Sequence, residues 1–244
     1  MSRVAPLDTA RILTLITAAV ALAMVVFAGP GTRMGLWSWQ LGFDIVKWAF
    51  YVGVAASISA VALVIMLIDP RQRTRIWMPV TASLLAIAAI APPLMMLSTA
   101  KSLPLIHDVS TDLAEPPPFV SLMEVRKQAP NGFAHGGAAI AAEQQKGYPD
   151  LKSLVVKQPP GEAVQRAIDA ARSMGWEIVA SDAAAGRIEA TDTTAWFGFK
   201  DDIVVRIRPE GEGSRIDVRS VSRVGLSDLG ANAKRIRAFL ARLS

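Results

Sequence analysis

The side chains that could act as nucleophiles lie in one stretch, "SVSRVGLSDLGANAKRIR", whose serines are Ser220, Ser222 and Ser227. A serine nucleophile needs a base within hydrogen-bond reach. The chain has only two histidines, His107 and His135, and both lie far upstream in a different kind of sequence. No GxSxG elbow is present either. Serine catalysis is disfavoured, and we interpret the stretch as a strand-to-helix connection in which Ser227 or Asp228 caps the helix.

Aspartates offer two further candidate sites. Asp201 and Asp202, in "FKDDIVV", could act as paired carboxylates or hold a cation through oxygen ligands. "IHDVSTD" contributes His107, Asp108 and Asp112, a conceivable set for manganese or zinc. Both groups are equally typical of turns, where short acidic side chains bond to nearby backbone. We expect no cofactor and keep His107, Asp108, Asp201 and Asp202 only as weak metal candidates.

Composition excludes several classes of chemistry. The chain has no cysteine, which excludes disulfides, thiol nucleophiles, zinc–thiolate sites and iron–sulfur clusters. The net charge of +5 comes mostly from residues 1–100, with seven Lys/Arg against three Asp/Glu, because residues 101–244 carry nineteen against eighteen. A nucleic-acid-binding domain needs a clustered basic excess of its own. We therefore expect no nucleic-acid partner.

Three apolar runs without charged residues occupy positions 12–28, 48–68 and 76–97. Their lengths match the roughly 17–25 residues that a helix needs to cross a bilayer. The loop before the third run carries Arg71, Arg73 and Arg75, which indicates a cytoplasmic loop. We expect residues 1–100 to be a multi-pass domain of the inner membrane with a cytoplasmic N-terminus. The remainder then lies in the periplasm, even if the first run is a cleaved signal peptide.

The rest of the chain consists of two regions that differ in composition and in hydrophobic pattern. Residues 101–150 contain "EPPPF", "APNG", "HGG" and "YPD", a density of proline and glycine that breaks long helices and strands, and we interpret them as a stalk with short helices. Residues 151–244 combine two helical patterns with alternating, β-branched runs. They predict a two-layer α+β domain with an antiparallel sheet in the order β-α-β-β-β-β-α.

Alternation along the predicted strands separates two faces. The apolar face contains Ile188, Ala190, Ile203, Val205, Ile207, Ile216 and Val218, and we expect the helices to cover it. The other face contains Arg187, Glu189, Arg206, Arg208, Arg215, Asp217 and Arg219. Five guanidinium groups against two carboxylates leave positive charge without partners.

This arginine face has two interpretations. It could be a solvated surface with weak cross-strand pairs, or it could bind an anionic ligand, a lipid headgroup or an acidic protein surface through its guanidinium forks. Arg223 and the start of the last helix would extend such a site. The candidate binding residues are Arg187, Arg206, Arg208, Arg219, Ser222, Arg223, Asp228 and Asn232.

Four blocks carry a resemblance to a known family: "IHDVSTDLAEPPPF", "YPDL", "RIEATDTTAWFGFKDDIVVRIRP" and "SRIDVRSVSRVGLSDLGANAKRIRAFL". In this order they resemble the signature blocks of the domain of unknown function 1499 family, over residues 103–244. The resemblance implies no catalytic role. It directs attention to His107, Asp108, Asp112, Asp201, Asp202, Arg219, Ser222, Arg223, Asp228 and Asn232.

The sequence therefore favours recognition over catalysis. We expect an integral membrane protein, not an enzyme, whose outward domain binds another component of the envelope or of a membrane complex as an accessory or assembly factor. The alternative is a module that binds a lipid or small ligand in a groove near Trp196, Phe197 and Phe199. An enzyme of unknown reaction is the third hypothesis.

Overall fold

The computed structural model describes residues 6–66 and 75–244, and the chain forms two compact units. One unit contains the chain up to Ser98 together with Trp196–Gly198, and the other contains Thr99–Ala195 and Phe199–Ser244. Of the loop arginines, Arg71 and Arg73 lie outside the described residues.

Three long helices make up the first unit: α1 (Pro6–Arg33), α2 (Trp39–Met66) and α3 (Trp77–Ser102). Each is long and apolar enough to cross a membrane, which confirms the three spans predicted from hydropathy. Asp8 near the start of α1 forms ion pairs with Arg11 at 2.9 Å and with Arg75 at 3.0 Å. The starts of α1 and α3 are therefore at the same end of the bundle.

Small side chains lie between these helices and large ones face outward. A buried cluster consists of Ala18, Ala56, Ala60, Ala82 and Ala86. Large apolar side chains such as Ile58 and Leu84 are exposed instead. Close packing through small residues, with bulky residues turned outward, is typical of helices that associate within lipid.

Trp196 and Phe197, although far along the chain, belong to this helical unit. Trp196 packs against a buried cluster of Ala21, Val25, Ala49 and Ala89. The ring of Phe197 stacks on Phe43 with centroids 4.9 Å apart. These two rings are therefore part of the helical packing, whereas the alternative hypothesis of a small-ligand module assumed a groove near them.

The second unit is built on one antiparallel sheet of six strands: β1 (Asp108–Ser110), β2 (Leu154–Val156), β3 (Glu177–Asp182), β4 (Arg187–Thr193), β5 (Lys200–Glu210) and β6 (Gly213–Ser222). The strand order is β1-β6-β5-β4-β3, and β2 pairs with β6 along the same edge as β1. Strands β3 to β6 form the predicted meander.

The second unit also contains four helices: α4 (Met123–Gln128), α5 (Gly137–Gly147), α6 (Pro160–Ser173) and α7 (Ala231–Leu240). Helices α6 and α7 cover the apolar face of the sheet, where Ala167, Ile236 and Phe239 are fully buried. Trp176 stacks on Phe239 with ring centroids 4.9 Å apart. All seven strand residues predicted for this face lie in the core, which confirms the alternation and the α+β class.

Residues 101–150, which we interpreted as a stalk, lie within the sheet unit. β1 pairs with β6 in register with residues 219–221. Phe119 and Leu122 are buried against Val204 and Val221 on the sheet face opposite α6 and α7. Residues 111–136 thus form a third layer, which we call the covering segment, because their few large apolar side chains pack onto the sheet.

Gln144 extends this edge of the sheet with its side chain. Its Nε2 donates to the carbonyl of Ser110 at 2.6 Å, and its Oε1 accepts the N–H of Ser110 at 2.9 Å. Both residues are fully buried. The amide of Gln144 therefore substitutes for the backbone of a neighbouring strand, and it satisfies two groups that would otherwise be buried without partners.

We predict that Gln144→Ala lowers the free energy of unfolding by about 1–3 kcal/mol, because the Ser110 N–H and C=O lose their partners. Thermal unfolding of the full-length protein in detergent measures the effect. Gln145→Ala is the matched control, since Gln145 is the exposed neighbour of the same residue type. Equal stability of the two variants would contradict the role of Gln144.

Candidate functional site

Asp201 and Asp202 point to opposite faces of the sheet. Asp201 lies on the helix face and accepts from Arg235 of α7 at 2.6 Å, whereas Asp202 lies on the other face and pairs with Arg223 at 2.8 Å. Consecutive residues of a strand alternate in this way. One use considered for the two aspartates, as a carboxylate pair, is excluded because the sheet separates them.

The arginines of this face are paired with carboxylates, although Arg208 and Arg215 remain partly exposed. Asp112, from the covering segment, accepts from Arg206, Arg208 and Arg215 at 3.0–3.4 Å. The buried carboxylate of Asp217 accepts from the same three side chains at 3.0–3.1 Å. The prediction of unpartnered positive charge is wrong here, since it counted only the carboxylates of the sheet itself.

Asp217 occupies the centre of this group. Burial would raise its pKa, but hydrogen bonds from Ser153, Arg206 and Arg215 outweigh burial and hold the pKa below the ordinary value of an aspartate. The Ser153 hydroxyl donates to Oδ1 of Asp217 at 2.5 Å. The carboxylate is therefore ionised and fully occupied by donors.

Arg219 forms a separate buried pair with Asp108 of β1. Its Nε and Nη2 donate to the two carboxylate oxygens at 3.0 and 2.8 Å, and both side chains are about 5% exposed. Nη2 also donates to the carbonyl of Phe133 at 3.0 Å. This bidentate pair connects strand β6 to β1 and to the covering segment.

Glu189 holds the turn that begins α4. Its carboxylate accepts the backbone N–H groups of Val120, Ser121 and Leu122 at 2.8–3.1 Å. Arg187, which we predicted as a binding residue, lies 3.5 Å from the same carboxylate. A charge on the sheet thus fixes the backbone of the layer above it.

Asp202 accepts hydrogen bonds from a third group of donors. It accepts from Arg223, from the Thr191 hydroxyl at 2.9 Å and from the fully buried Arg126 at 3.4 Å. Burial lowers the pKa of Arg126, while the charge and hydrogen bond of Asp202 act in the opposite direction. Arg126 has no counterpart among the residues predicted from the sequence.

A hydrogen-bond network connects the helix face of the sheet to α7. Arg235 donates to Asp192, Asp201, Ser220 and Asn232 at 2.6–3.1 Å. Asn232 in turn accepts from the Ser220 hydroxyl at 2.6 Å, and its Nδ2 donates to the Ser222 hydroxyl and to the backbone carbonyl of His107. The predicted residues Ser222 and Asn232 therefore anchor α7 to β6 and to the start of β1.

The stretch after β6 is a capping turn. Gly225 and Gly230 adopt left-handed backbone angles, φ 94° and 80°. Asp228 accepts the N–H of Gly230 and of Asn232, both at 2.8 Å, at the start of α7. Burial raises the pKa of Asp228 and these hydrogen bonds oppose the shift. The carboxylate occupies the helix N-terminus, where a phosphate would otherwise bind.

These contacts account for the residues that sequence alone left open. Ser220 and Ser222 bond to Asn232, and Ser220 also to Arg235, instead of to an imidazole. Asp108 and Asp112 serve different arginines, so the predicted ligand set with His107 is divided. In residues 6–66 and 75–244 no group of three or more potential ligands is arranged around a metal position.

Sequence reasoning found the arginines of the strands but missed Glu115, which pairs with Arg206 and Arg208. It also missed Ser153, Arg126, Arg235 and Gln144, which donate to Asp217, Asp202, Asp201 and the Ser110 carbonyl. The acidic spacing in "DVSTDLAE", together with the arginine excess of the strands, is the signal that could have identified Asp108, Asp112 and Glu115 as their partners. Arg126 and Gln144 lie on short helices with no distinguishing pattern.

We predict that Asp217→Asn removes the part of the free energy of unfolding that depends on the ionisation of Asp217. Because the folded pKa of Asp217 is depressed, its ionised form stabilises the fold fully above about pH 4–5, and this contribution is lost as the pH falls through the folded value. Chemical unfolding of the full-length protein from pH 7 to about pH 3 should show a shallower acid decline in the variant. Glu212→Gln, at an exposed position, should keep the wild-type slope.

Two bidentate arginine pairs of similar geometry differ in burial, and we predict that losing the buried pair lowers the free energy of unfolding more. Arg219→Ala leaves the buried Asp108 without its partner and should cost about 3–5 kcal/mol. Arg237→Ala breaks the exposed pair with Asp150 and should cost about 1 kcal/mol or less. Urea unfolding in detergent compares them, and similar losses in both variants would contradict the assignment of Arg219 as a structural residue.

Comparison with known proteins places the chain in a family without assigning an activity. Curated protein sequences gave no match. The crystal structure of TTHA0849 from Thermus thermophilus is similar to part of this chain, at 13% sequence identity and a TM-score of 0.25. The match covers 37% of this chain and 90% of that chain. A family model described as protein of unknown function (DUF1499) matches residues 108–243, more than half of the chain, and the chain belongs to this family.

Proposed function

We propose that the protein is a membrane-anchored accessory or assembly factor, whose sheet domain binds another protein of a membrane complex or of the envelope. The three apolar helices support the anchor. The sheet domain would lie on the outer side of the inner membrane, as the arginines of the loop before α3 favour.

The observation that carries this proposal is the exposure of four apolar side chains on the covering segment and in the turn after β6. Val120, Val125, Phe133 and Leu226 are 51%, 40%, 41% and 75% exposed. Asn131 holds this region together, because its side chain donates to the carbonyls of Ser222 and Gly225 at 3.0 and 2.9 Å. Large apolar side chains exposed on the surface of a folded domain are typical of protein-binding sites.

The layer beneath these side chains is rigidly held. Glu189 fixes the backbone next to Val120, and Arg126 anchors the helix that carries Val125. Arg219 holds the carbonyl of Phe133. A surface fixed in this way loses little conformational entropy on binding, which favours recognition of a partner.

The polar residues favour recognition over catalysis. The candidate nucleophiles Ser220 and Ser222 and the carboxylates of Asp108 and Asp201 are occupied by hydrogen bonds inside the fold. Binding of a small ligand is a second candidate function, and it is favoured by Arg126, a buried guanidinium with two nitrogens that have no hydrogen-bond partner.

Site-specific photo-crosslinking in intact membranes tests the proposal. We expect benzoylphenylalanine at position 125 or 133 to give one adduct of the same mass with a single protein, identified by mass spectrometry after gentle detergent extraction. The same probe at exposed Glu162, on α6, is the control and should give no such adduct.

Phe133→Asp should reduce recovery of that partner at least about tenfold, because a charge would be desolvated in an apolar contact. Val179→Asp, on strand β3, should leave recovery unchanged. Adducts only with a second copy of this chain, equal adducts at position 162, or no protein adduct would each contradict the proposal.

A further inference from the structure

The guanidinium of Arg126 is fully buried, yet only one of its three nitrogens has a hydrogen-bond partner. Nη1 donates to Oδ2 of Asp202 at 3.4 Å and to the carbonyl of Val221 at 3.2 Å. Nε and Nη2 have none. All three nitrogens of an arginine are donors, and a buried charged donor without an acceptor is costly. Nε and Nη2 of this guanidinium therefore lack the hydrogen-bond acceptors that buried charged donors need.

His135 provides another donor without a partner. Its Nδ1 accepts the N–H of Gly137 at 3.2 Å, so the neutral ring carries its proton on Nε2, which is buried and has no partner. Burial lowers the pKa of His135, which keeps the ring neutral near pH 7. His135 and Arg126 both lie within electrostatic range of Asp108 and Arg219.

The charges around Arg126 do not balance. Two carboxylates, Asp108 and Asp202, serve three guanidinium groups, those of Arg126, Arg219 and Arg223. The nearby carboxylate of Glu189 is occupied by three backbone N–H groups and by Arg187. One positive charge in this cluster therefore has no counterpart.

From these observations we propose that Arg126 binds an oxyanion with one negative charge, a carboxylate or a phosphate group. Nε and Nη2 form a fork that matches two oxygens of such a group, and Nε2 of His135 is a third donor. The ring of Phe119, with its centroid 5.5 Å from Cζ of Arg126, holds the guanidinium in place. The anion would contact buried donors of the segment that carries the apolar surface, and the proposal does not depend on a protein partner.

His135 lies between α4 and α5, and its side chain is half-buried while its Nε2 is enclosed. Gly132, before it, and Gly137, the first residue of α5, both have positive φ and open space where a side chain would be. A free anion and a lipid headgroup present the same oxygens, and only binding experiments separate them.

Isothermal titration of the full-length protein in nonionic detergent tests the site with three probes: inorganic phosphate, acetate and dihexanoyl phosphatidic acid. Ionic strength is held constant with sodium chloride. We expect one-to-one binding of at least one probe. Preference for phosphate or acetate identifies a free anion, and preference for the phosphatidic acid identifies a lipid headgroup.

Arg126→Met should weaken binding about tenfold or more, since it removes two charge-assisted hydrogen bonds. His135→Ala leaves the buried guanidinium intact and should weaken binding about two- to tenfold, which keeps the test decisive if the first variant does not fold. Arg237→Met removes an exposed guanidinium and should bind like the wild type. Absence of binding for all three probes, or equal binding in all variants, would overturn the proposal.

Discussion

A buried arginine requires a carboxylate within hydrogen-bond reach, and this requirement shapes the sheet domain. Strands β5 and β6 place Arg206 and Arg219 under another layer of protein, where an unpaired charge would cost several kcal/mol. Their partners include Asp108 and Asp112, which precede most of the sheet in the chain. Pairing over this separation joins the covering segment to the strands and makes three layers out of the expected two.

The same reasoning explains why the residues that look catalytic are structural. Strand alternation sends Asp201 toward α7 and Asp202 toward α4, so each supports a different layer. Ser220 and Ser222 of β6 face α7, where their hydroxyl groups bond to Asn232 and, for Ser220, also to Arg235. Polar networks of this kind specify how layers fit together when every member has its partner. Arg126 departs from that pattern, and its free nitrogens are therefore the feature that suggests a ligand.

Local patterns predicted strands β2 to β6, their order along the chain and the helix-covered core, because periods of 2 and 3.6 residues are set by the backbone itself. Strand β1 lies in the part interpreted as a stalk and was not predicted. Nor did these patterns predict the covering segment. Its prolines and glycines indicate loops correctly, but whether a loop lies on the sheet depends on contacts between distant residues. Phe119 is one apolar residue in such a loop, and Gln144 is an ordinary helix residue by sequence. Matching the acidic residues at 108–115 to the arginine-rich strands was the available clue.

If the arginine and carboxylate pairs join the layers, the covering segment is held as firmly as the strands it covers. Amide hydrogen exchange of the full-length protein in detergent, resolved for Val120, Ser121 and Leu122, measures this most directly, because these N–H groups bond to Glu189 across layers. We expect these N–H groups to be protected from exchange as strongly as those of strands β5 and β6. Exchange at the rate of an unstructured chain would mean that residues 111–136 form a mobile stalk and would contradict this expectation.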